Sequence, residues 1–421
     1  MHLVLFTRDL RVHDHPGLSA AGDEPTIPLF VRDDRIRARA GPHRSEALDT
    51  ALASLDASLR SRGSRLVLRT GDPVACVAEL VTADGVTDVH VSGDVSAFAS
   101  RREQQLRDAT ASVGARLHVH DGVTVVPPGL ITPAGKDHYR VFTPYWRRWR
   151  EVLDLGAALP APRRIETPTL GGDPVPGFVE GLAVPVAEPD ARARLDELLS
   201  LREDGDFDPD RLDRADSTRL SAALHFGTLS PTDLARWALA HDDEVLRQVC
   251  WRDLDHQLLA AHPDLPRENL RERAMPWNDD PTARRRWEKG TTGIPIVDAA
   301  MRELQATGWM HNRARMVVGS FLTKTLGEHW SHGAAHFERW LIDADLANNV
   351  ANWQWIAGTG TDTRPNRVLN PVRQGRRFDP DGAWVRRWVP ELSAIEGRAV
   401  HEPWRVEEAL RGGYPDPIIE L

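Results

Sequence analysis

His2-Leu3-Val4-Leu5-Phe6 and Thr26-Ile27-Pro28-Leu29-Phe30-Val31 are the stretches on which the fold turns. Each is short and almost continuously apolar, the pattern of a strand buried on both faces. Arg65–Arg69, Val89–Ser92 and Arg116–His120 are further runs of this kind. Between them, Ser45–Ser61 and Val74–Ala83 carry apolar residues at spacings of three and four, the period of an amphipathic helix. Strands alternating with helices over the first 130 residues predict a parallel sheet covered on both faces, with right-handed crossovers.

From Ser217 onward the period becomes helical: Val297, Met301 and Leu304 fall on one face, and strand-like alternation is scarce. Seven prolines between Pro160 and Pro189 mark an extended connection, and the acidic stretch after it, up to Asp216, reads as a solvated surface. The expected division is an α/β domain over residues 1–130, a linker over 131–195 and an all-helical domain over 196–421.

Composition narrows the function. The 421 residues include no apolar run of membrane-spanning length. Only two cysteines, Cys76 and Cys250, exclude a disulfide framework and an iron–sulfur cluster held by four thiolates of this chain. Few cysteines and an N-terminus that opens directly on a strand point to the cytoplasm. The net charge of −9 argues against a general nucleic-acid coat but allows a local basic surface. The aromatic balance is unusual, with 14 Trp against 10 Phe and 3 Tyr. None of the tryptophans precedes Trp146, and twelve lie from Trp237 onward.

No phosphate loop and no dinucleotide fingerprint is present. Ser217-Thr218-Arg219-Leu220-Ser221 places hydroxyls and a guanidinium at a helix start, which suits either a phosphate or a plain N-cap. In Trp309-Met310-His311-Asn312-Arg313-Ala314-Arg315-Met316, helical spacing puts Trp309, Asn312 and Met316 on one face. Arg315 needs an anion if buried, and Asp343 or Asp345 is the candidate. Those carboxylates also suit acid–base chemistry, but no nucleophile lies nearby, so a ligand-holding role is preferred. Asn348 to Trp355 is dense in amides and indoles, suited to a heteroaromatic edge and to stacking. His329, His332 and His336 have metal-ligand spacing, as a solvated helix face also would. No metal is expected. Arg364 to Trp388 holds seven arginines and two acids, a net +5 with Trp384 and Trp388 interleaved. That composition suits a phosphate backbone or, alternatively, acidic partners in the linker.

These residues together resemble the photolyase/cryptochrome family along nearly the whole chain. The resemblance runs through Leu5–Asp14 and Val141-Phe142-Thr143-Pro144, and most specifically through Gly290 to Met316 and Asp343 to Pro371. It implies a Rossmann-like α/β domain followed by a helical domain that binds FAD. Carried over by position, Ser217, Thr218 and Ser221 would hold the cofactor phosphates with Arg252 helping, and Arg219 and Leu220 belong to the same cofactor-binding segment. Asp343 would pair with Arg315 at the flavin edge, Trp309, Asn312 and Asp345 would line the cofactor, and Asn349 would face flavin N5. Trp353, Trp330 and Trp277 align with the family's electron-conducting chain. Trp251 and Trp355 align with the indoles that flank a flipped-out lesion. Gln248, Met316, Arg313, Arg367 and Arg373 fall on the lesion and DNA side. Asp94 and Arg102 resemble the surroundings of an antenna chromophore, 8-hydroxy-deazaflavin or methenyltetrahydrofolate.

The resemblance implies light-driven repair of UV-damaged DNA by a monomer. Asn312 and Met316 stand where (6-4) repair enzymes have histidines, which favours the cyclobutane pyrimidine dimer as substrate. A blue-light photoreceptor that repairs nothing is the alternative from another class. Two positions depart from the family pattern: Gly205 replaces a common tyrosine, and Gln248 a common glutamate.

Overall fold

The computed structural model describes residues 1–203, 207–214, 216–272 and 276–420; Gly205 lies outside them. The sheet consists of β1 (His2–Phe6), β2 (Thr26–Arg32), β3 (Val67–Thr70), β4 (Asp88–Ser92) and β5 (Arg116–His120). All pairs are parallel, in the order β3-β2-β1-β4-β5. Leu3 opposes both Ile27 and Val89, so the apolar runs align across the sheet. One face packs Leu3, Leu5, Ile27, Leu29 and Val89 against Val77 and Leu80 of helix Pro73–Asp84 and Leu106 of helix Ala97–Ser112. β3 begins at Val67, two residues later than the apolar run suggests. Arg65 and Leu66 are diverted, with Arg65 donating to the Leu170 carbonyl and the Leu66 amide to Asp56.

Several helix starts follow one local rule. Asp72-Pro73, Ser230-Pro231, Asp280-Pro281 and Asn370-Pro371 each put an accepting side chain at the N-cap and proline at the first helical position. The cap satisfies an amide that has no intrahelical partner, and proline lacks the hydrogen that would need one.

The chain divides into two compact units. The first comprises Met1–Asp196, Arg219–Asp264 and Asp345–Asn348. Within it the proline-rich stretch is bonded rather than free. The Ile165 amide donates to the Arg62 carbonyl, the Thr26 amide to the Glu166 carbonyl, and Asp173 bridges Leu68 of β3. An exposed strand edge is thereby covered. Helix Asp243–Ala261 is locked to the same unit by Asp253. Fully buried, Asp253 accepts from the amides of Val125 and Val126 and from Trp149 Nε1.

The second unit comprises Glu197–Thr218, Leu265–Ala344 and Asn349–Leu421. Its centre is helix Pro295–Thr307, on which Val297, Met301 and Leu304 are all buried, as their spacing predicts. The helix packs against Ala383–Trp388, Asn312–Ser320 and Pro281–Lys289. Among the described residues, no helix is long and apolar enough to cross a membrane.

Gly227 closes helix Ser221–Phe226 with φ +68° in the left-handed region. A Cβ there would sit 1.8 Å from the Arg8 carbonyl oxygen. The approach is pinned by Leu10 N–H donating to Phe226 O and by Arg11 Nη1 donating to Gly227 O. Gly227→Ala is expected to cost about 3 kcal/mol in urea unfolding, from backbone strain plus a clash that no rotamer relieves. Gly22→Ala, also at positive φ but with nothing near its Cβ, should cost only about 1 kcal/mol.

Candidate functional site

In a parallel sheet whose order reverses, ligands meet the crevice outside the carboxyl ends of the central strands. Here β1 runs out into Arg8 and Asp9, and β4 into Asp94. Arg8 Nη1 lies 3.1 Å from Asp94, and Arg8 Nη2 is in direct contact with Asp345. Burial opposes the charge on Arg8, but the two carboxylates overcome it and raise its pKa above the ordinary arginine range. Burial likewise opposes ionisation of Asp345, yet Arg8, His256 and Arg252 hold it well below the ordinary carboxylate range. His256, fully buried, stands 3.6 Å from Asp345, with Nδ1 on the Arg252 carbonyl. Arg252 is buried too and donates to the Val123 carbonyl, and burial lowers its pKa. Behind this cluster, Asp9 takes Ser92 Oγ at 2.6 Å and lies 3.1 Å from His15. Against burial, these partners hold Asp9 at about 2.

Asp345, Arg252 and Asp94 were recognisable singly in the sequence. Arg8 and His256, which join them, were not: they lie far apart along the chain, and although Arg8 falls within the family-like Leu5–Asp14 stretch, nothing local marks either as a partner of Asp345.

The segment Ser217–Ser221 does not form the plain cap that was one of its two readings. Helix Ser221–Phe226 starts after Leu220 without a side-chain cap, and Arg219 adopts φ +55°, uncommon for a residue with a Cβ. Ser217, Thr218 and Arg219 are half-buried, Leu220 is buried and Ser221 is exposed.

In the second unit, Arg315 Nη2 lies 2.8 Å from the buried carboxylate of Asp343, and Arg315 Nε donates to the Met310 carbonyl. The shared face of Trp309, Asn312 and Met316 does not form. Gly308 ends one helix at φ +69°, His311 caps the next through the Arg313 amide, and that helix begins only at Asn312. Trp309 is therefore buried ahead of the helix, Asn312 is exposed and Met316 is half-buried. Arg313 is bonded to both oxygens of Asp210 at 2.8 Å and lies over Phe378, so its charge is offset within the chain.

Helix Leu346–Ala357 carries Asn349, Trp353 and Trp355. Asn349 Nδ2 donates to the Ala334 carbonyl at 2.9 Å. Trp353 is buried, edge-on to Phe337 and to Trp287 with centroids 5.0 and 6.1 Å away. Trp287 thus forms a wall for a candidate functional indole. Trp330 is 1% exposed and donates Nε1 to Asn269 Oδ1 at 2.7 Å. Trp277 is half-buried, with its ring against His329. The three histidines of metal-like spacing part company: His329 meets Trp277 and Trp330, His336 meets Trp287 and Trp340, and His332 is exposed.

On the DNA-side candidates, Gln248 is exposed and donates to Glu244. Trp251 stacks flat on Phe142 at 3.9 Å, and Arg367 lies over Trp355 at 4.9 Å. Arg367 and Arg373 are exposed. Among the described residues, the only ion pair made by the seven arginines from Arg364 to Arg387 is Arg376 with Glu402.

Within the second unit, the Asp343–Arg315 pair and the Asn349 amide have the donor and acceptor chemistry that a flavin's heteroaromatic edge takes; within the first, buried charges are balanced around Arg8. The indole geometry depends on one glycine. A Cβ at Gly333 would lie 2.1 Å from Trp353 Cη2. Gly333→Ala is expected to destabilise the protein by about 2 kcal/mol through overpacking, and to change the near-UV circular dichroism as Trp353 is displaced.

Comparison with known proteins agrees with this chemistry. The family described as "DNA photolyase" matches residues 2–163, and that described as "FAD binding domain of DNA photolyase" matches residues 245–421. A deoxyribodipyrimidine photo-lyase of Streptomyces griseus is 47% identical over all of this chain and 96% of its own length. A cryptochrome DASH of Gloeobacter violaceus is 34% identical, over all of this chain and 93% of its own length. The crystal structure of a bacterial class III photolyase from Agrobacterium tumefaciens superposes with a TM-score of 0.87 at 30% identity, covering all of this chain and 94% of that one. With buried charges gathered at the sheet's switch point, and with both family matches and the full-length identity agreeing, the chain belongs to the DNA photolyase family.

Proposed function

We propose that this protein is a deoxyribodipyrimidine photo-lyase, which repairs UV-damaged DNA by splitting cyclobutane pyrimidine dimers in the light. The observation that carries the DNA-directed part is the arginine stretch. In a chain of net charge −9, six of its seven arginines make no ion pair among the described residues, and one of them covers the half-buried Trp355. Unneutralised guanidiniums beside an indole suit a phosphate backbone next to a base-stacking surface.

FAD, when bound and reduced, supplies the electron that opens the dimer and takes it back. The chain's own residues bind, orient and exclude water. Ser217, Thr218, Ser221 and Arg252 are assigned to the phosphates, with Arg219 and Leu220 in the same cofactor-binding segment. Asp343 with Arg315, and Asp345, Trp309, Asn312 and Asn349, are assigned to the rest of the cofactor. Trp251, Trp355, Gln248 and Met316 are assigned to the flipped-out dimer, whose weakened stacking lowers the cost of extrusion. Asn312 and Met316 supply no acid, in keeping with a reaction that needs only an electron and its return. Trp353, Trp330 and Trp277 are assigned to conduct an electron inward and restore the reduced cofactor. The α/β region over residues 1–130 is assigned an antenna chromophore, with residues 131–195 as linker and 196–421 as the photochemical domain. In support of the antenna, Arg102 and Arg35 both face the Phe98 ring, and among the described residues no carboxylate lies within ion-pairing distance of Arg102. The enzyme is assigned to the cytoplasm as a monomer.

Blue light on the reduced protein with dimer-containing oligothymidine should restore thymine absorbance. Recovery with (6-4) lesions alone would reassign the substrate, and recovery with neither would favour a photoreceptor. Trp277→Phe should slow photoreduction yet leave repair intact when the flavin is reduced chemically. Arg367→Ala and Arg373→Ala should each weaken DNA binding across sequences and lower the salt slope by about 1, measured by titration at several ionic strengths.

A further inference from the structure

His329 sits between the two outer indoles of the tryptophan series. Its imidazole meets Trp277 edge-on, with centroids 4.8 Å apart, and Trp330 at 5.4 Å with the planes tilted by 32°. The placement is held from both sides. The Ser331 amide donates to His329 Nδ1, which makes His329 the N-cap of helix Trp330–Trp340. On the other side, Asn278 next to Trp277 donates its amide to Gly327 O at 2.8 Å and its side chain to Leu326 O at 2.7 Å.

We propose that His329 is a bridging residue of the electron path: a neutral ring that couples Trp330 to Trp277, and whose protonation closes that step. The inference rests on the assignment of Trp353, Trp330 and Trp277 as conductors. The oxidant is the photoexcited oxidised flavin, which draws an electron from the inner end of the series. One electron then passes from Trp277 to oxidised Trp330. Trp330 is restored, and Trp277 becomes a radical cation that loses its Nε1 proton to water.

The surroundings favour this order. Trp330 is almost wholly buried and its N–H is held by Asn269 Oδ1, an amide oxygen that takes no proton near neutral pH. A hole on Trp330 therefore keeps its proton and stays mobile. Trp277 is half-buried beside exposed Pro276, Asn278 and Asp279, where water reaches.

Between them, the ring is poised to be neutral. Its Nδ1 is an acceptor, so the proton lies on Nε2, and a positive charge at a helix N-terminus is disfavoured. Burial, and after it His332, lower its pKa from the usual histidine value. Among the described residues, the charged groups adjoining His329 and Trp277 in sequence are Glu328, Asp279 and Asp280; helices Trp330–Trp340 and Pro281–Lys289 add Glu338, Arg339, Arg284, Arg285, Arg286, Glu288 and Lys289, and Lys324 lies just upstream. Arg284 pairs with Glu328 at 2.6 Å and with Asp279 at 3.1 Å. Because the folded pKa is depressed, the ring is uncharged at neutral pH and gains its proton only as the solution becomes acidic. An imidazolium in contact with both indoles would then disfavour a hole on either.

The test is flash photolysis of the FAD-loaded protein with the flavin oxidised, following formation of the long-lived tryptophan radical between about pH 8 and pH 5. Nuclear magnetic resonance on labelled histidine locates the His329 titration independently, and thermal melts confirm that each variant is folded. In the unmodified protein the radical should form more slowly as His329 gains its proton. His329→Phe, which keeps a ring but cannot titrate, should retain the neutral-pH rate and lose the pH dependence. His329→Leu should slow the step about tenfold at neutral pH. A wild-type rate in His329→Leu, or an acid slowdown that persists in His329→Phe, would overturn the proposal. If Trp277→Phe leaves the long-lived radical intact, the conductor assignment itself fails, whatever the His329 variants do.

Discussion

The guanidinium of Arg8 between Asp94 and Asp345 is the constraint on which the candidate site in the first unit depends. Arg8 follows the first strand, Asp94 follows the fourth, and Asp345 precedes the helix that goes on to carry Asn349, Trp353 and Trp355. Three segments remote in sequence therefore meet on one charge. Such a pair adds little net stability compared with apolar packing, because the desolvation of its members offsets their attraction. Removing one member is another matter, costing about 3–5 kcal/mol, since the others remain buried without compensation. The cluster thus specifies an arrangement more than it strengthens a fold. It also keeps charge in a place where a cofactor with phosphates and a polar ring system can use it.

The indoles follow a different logic. They are held by shape and by neutral hydrogen bonds. Gly333 leaves room for Trp353, Asn269 holds the N–H of Trp330, and His329 separates Trp330 from Trp277. Among the described residues, the N–H of Trp330 is held by an amide oxygen, which is not a base near neutral pH. An oxidised indole there is thus free to be refilled by an electron rather than trapped by loss of a proton. The tryptophan excess of the composition thereby divides into kinds. Some indoles are assigned to conduct and some to stack on bases, and others, such as Trp287, pack against an assigned conductor.

The α/β layout was legible because its signals are local. Apolar runs, helical spacing and the paired cap and proline residues act over a few positions, and each element obeys them without reference to its neighbours. The buried face of Val297, Met301 and Leu304 belongs to the same class. The reading of Trp309, Asn312 and Met316 as one face failed on local grounds as well, since a glycine turn and a histidine cap interrupt the helix that spacing alone had joined. Arg313 shows the limit from the other side: as an arginine in a family-like motif it resembles a phosphate ligand, and Asp210, a hundred residues earlier, offsets its charge.

By itself the sequence determined the fold class, the helical character of the chain after Ser217, and the excess of tryptophan there and of arginine in one stretch, because these depend on residue type and short-range spacing. Only the tertiary structure decided that Arg8 and His256 join Asp345, that Arg313 is paired with Asp210, and that His329 lies between two tryptophans. The physical reason is range. Spacing along the chain reports which face of an element is apolar, but burial of charge and contact between rings are set by segments that meet only after the chain has folded.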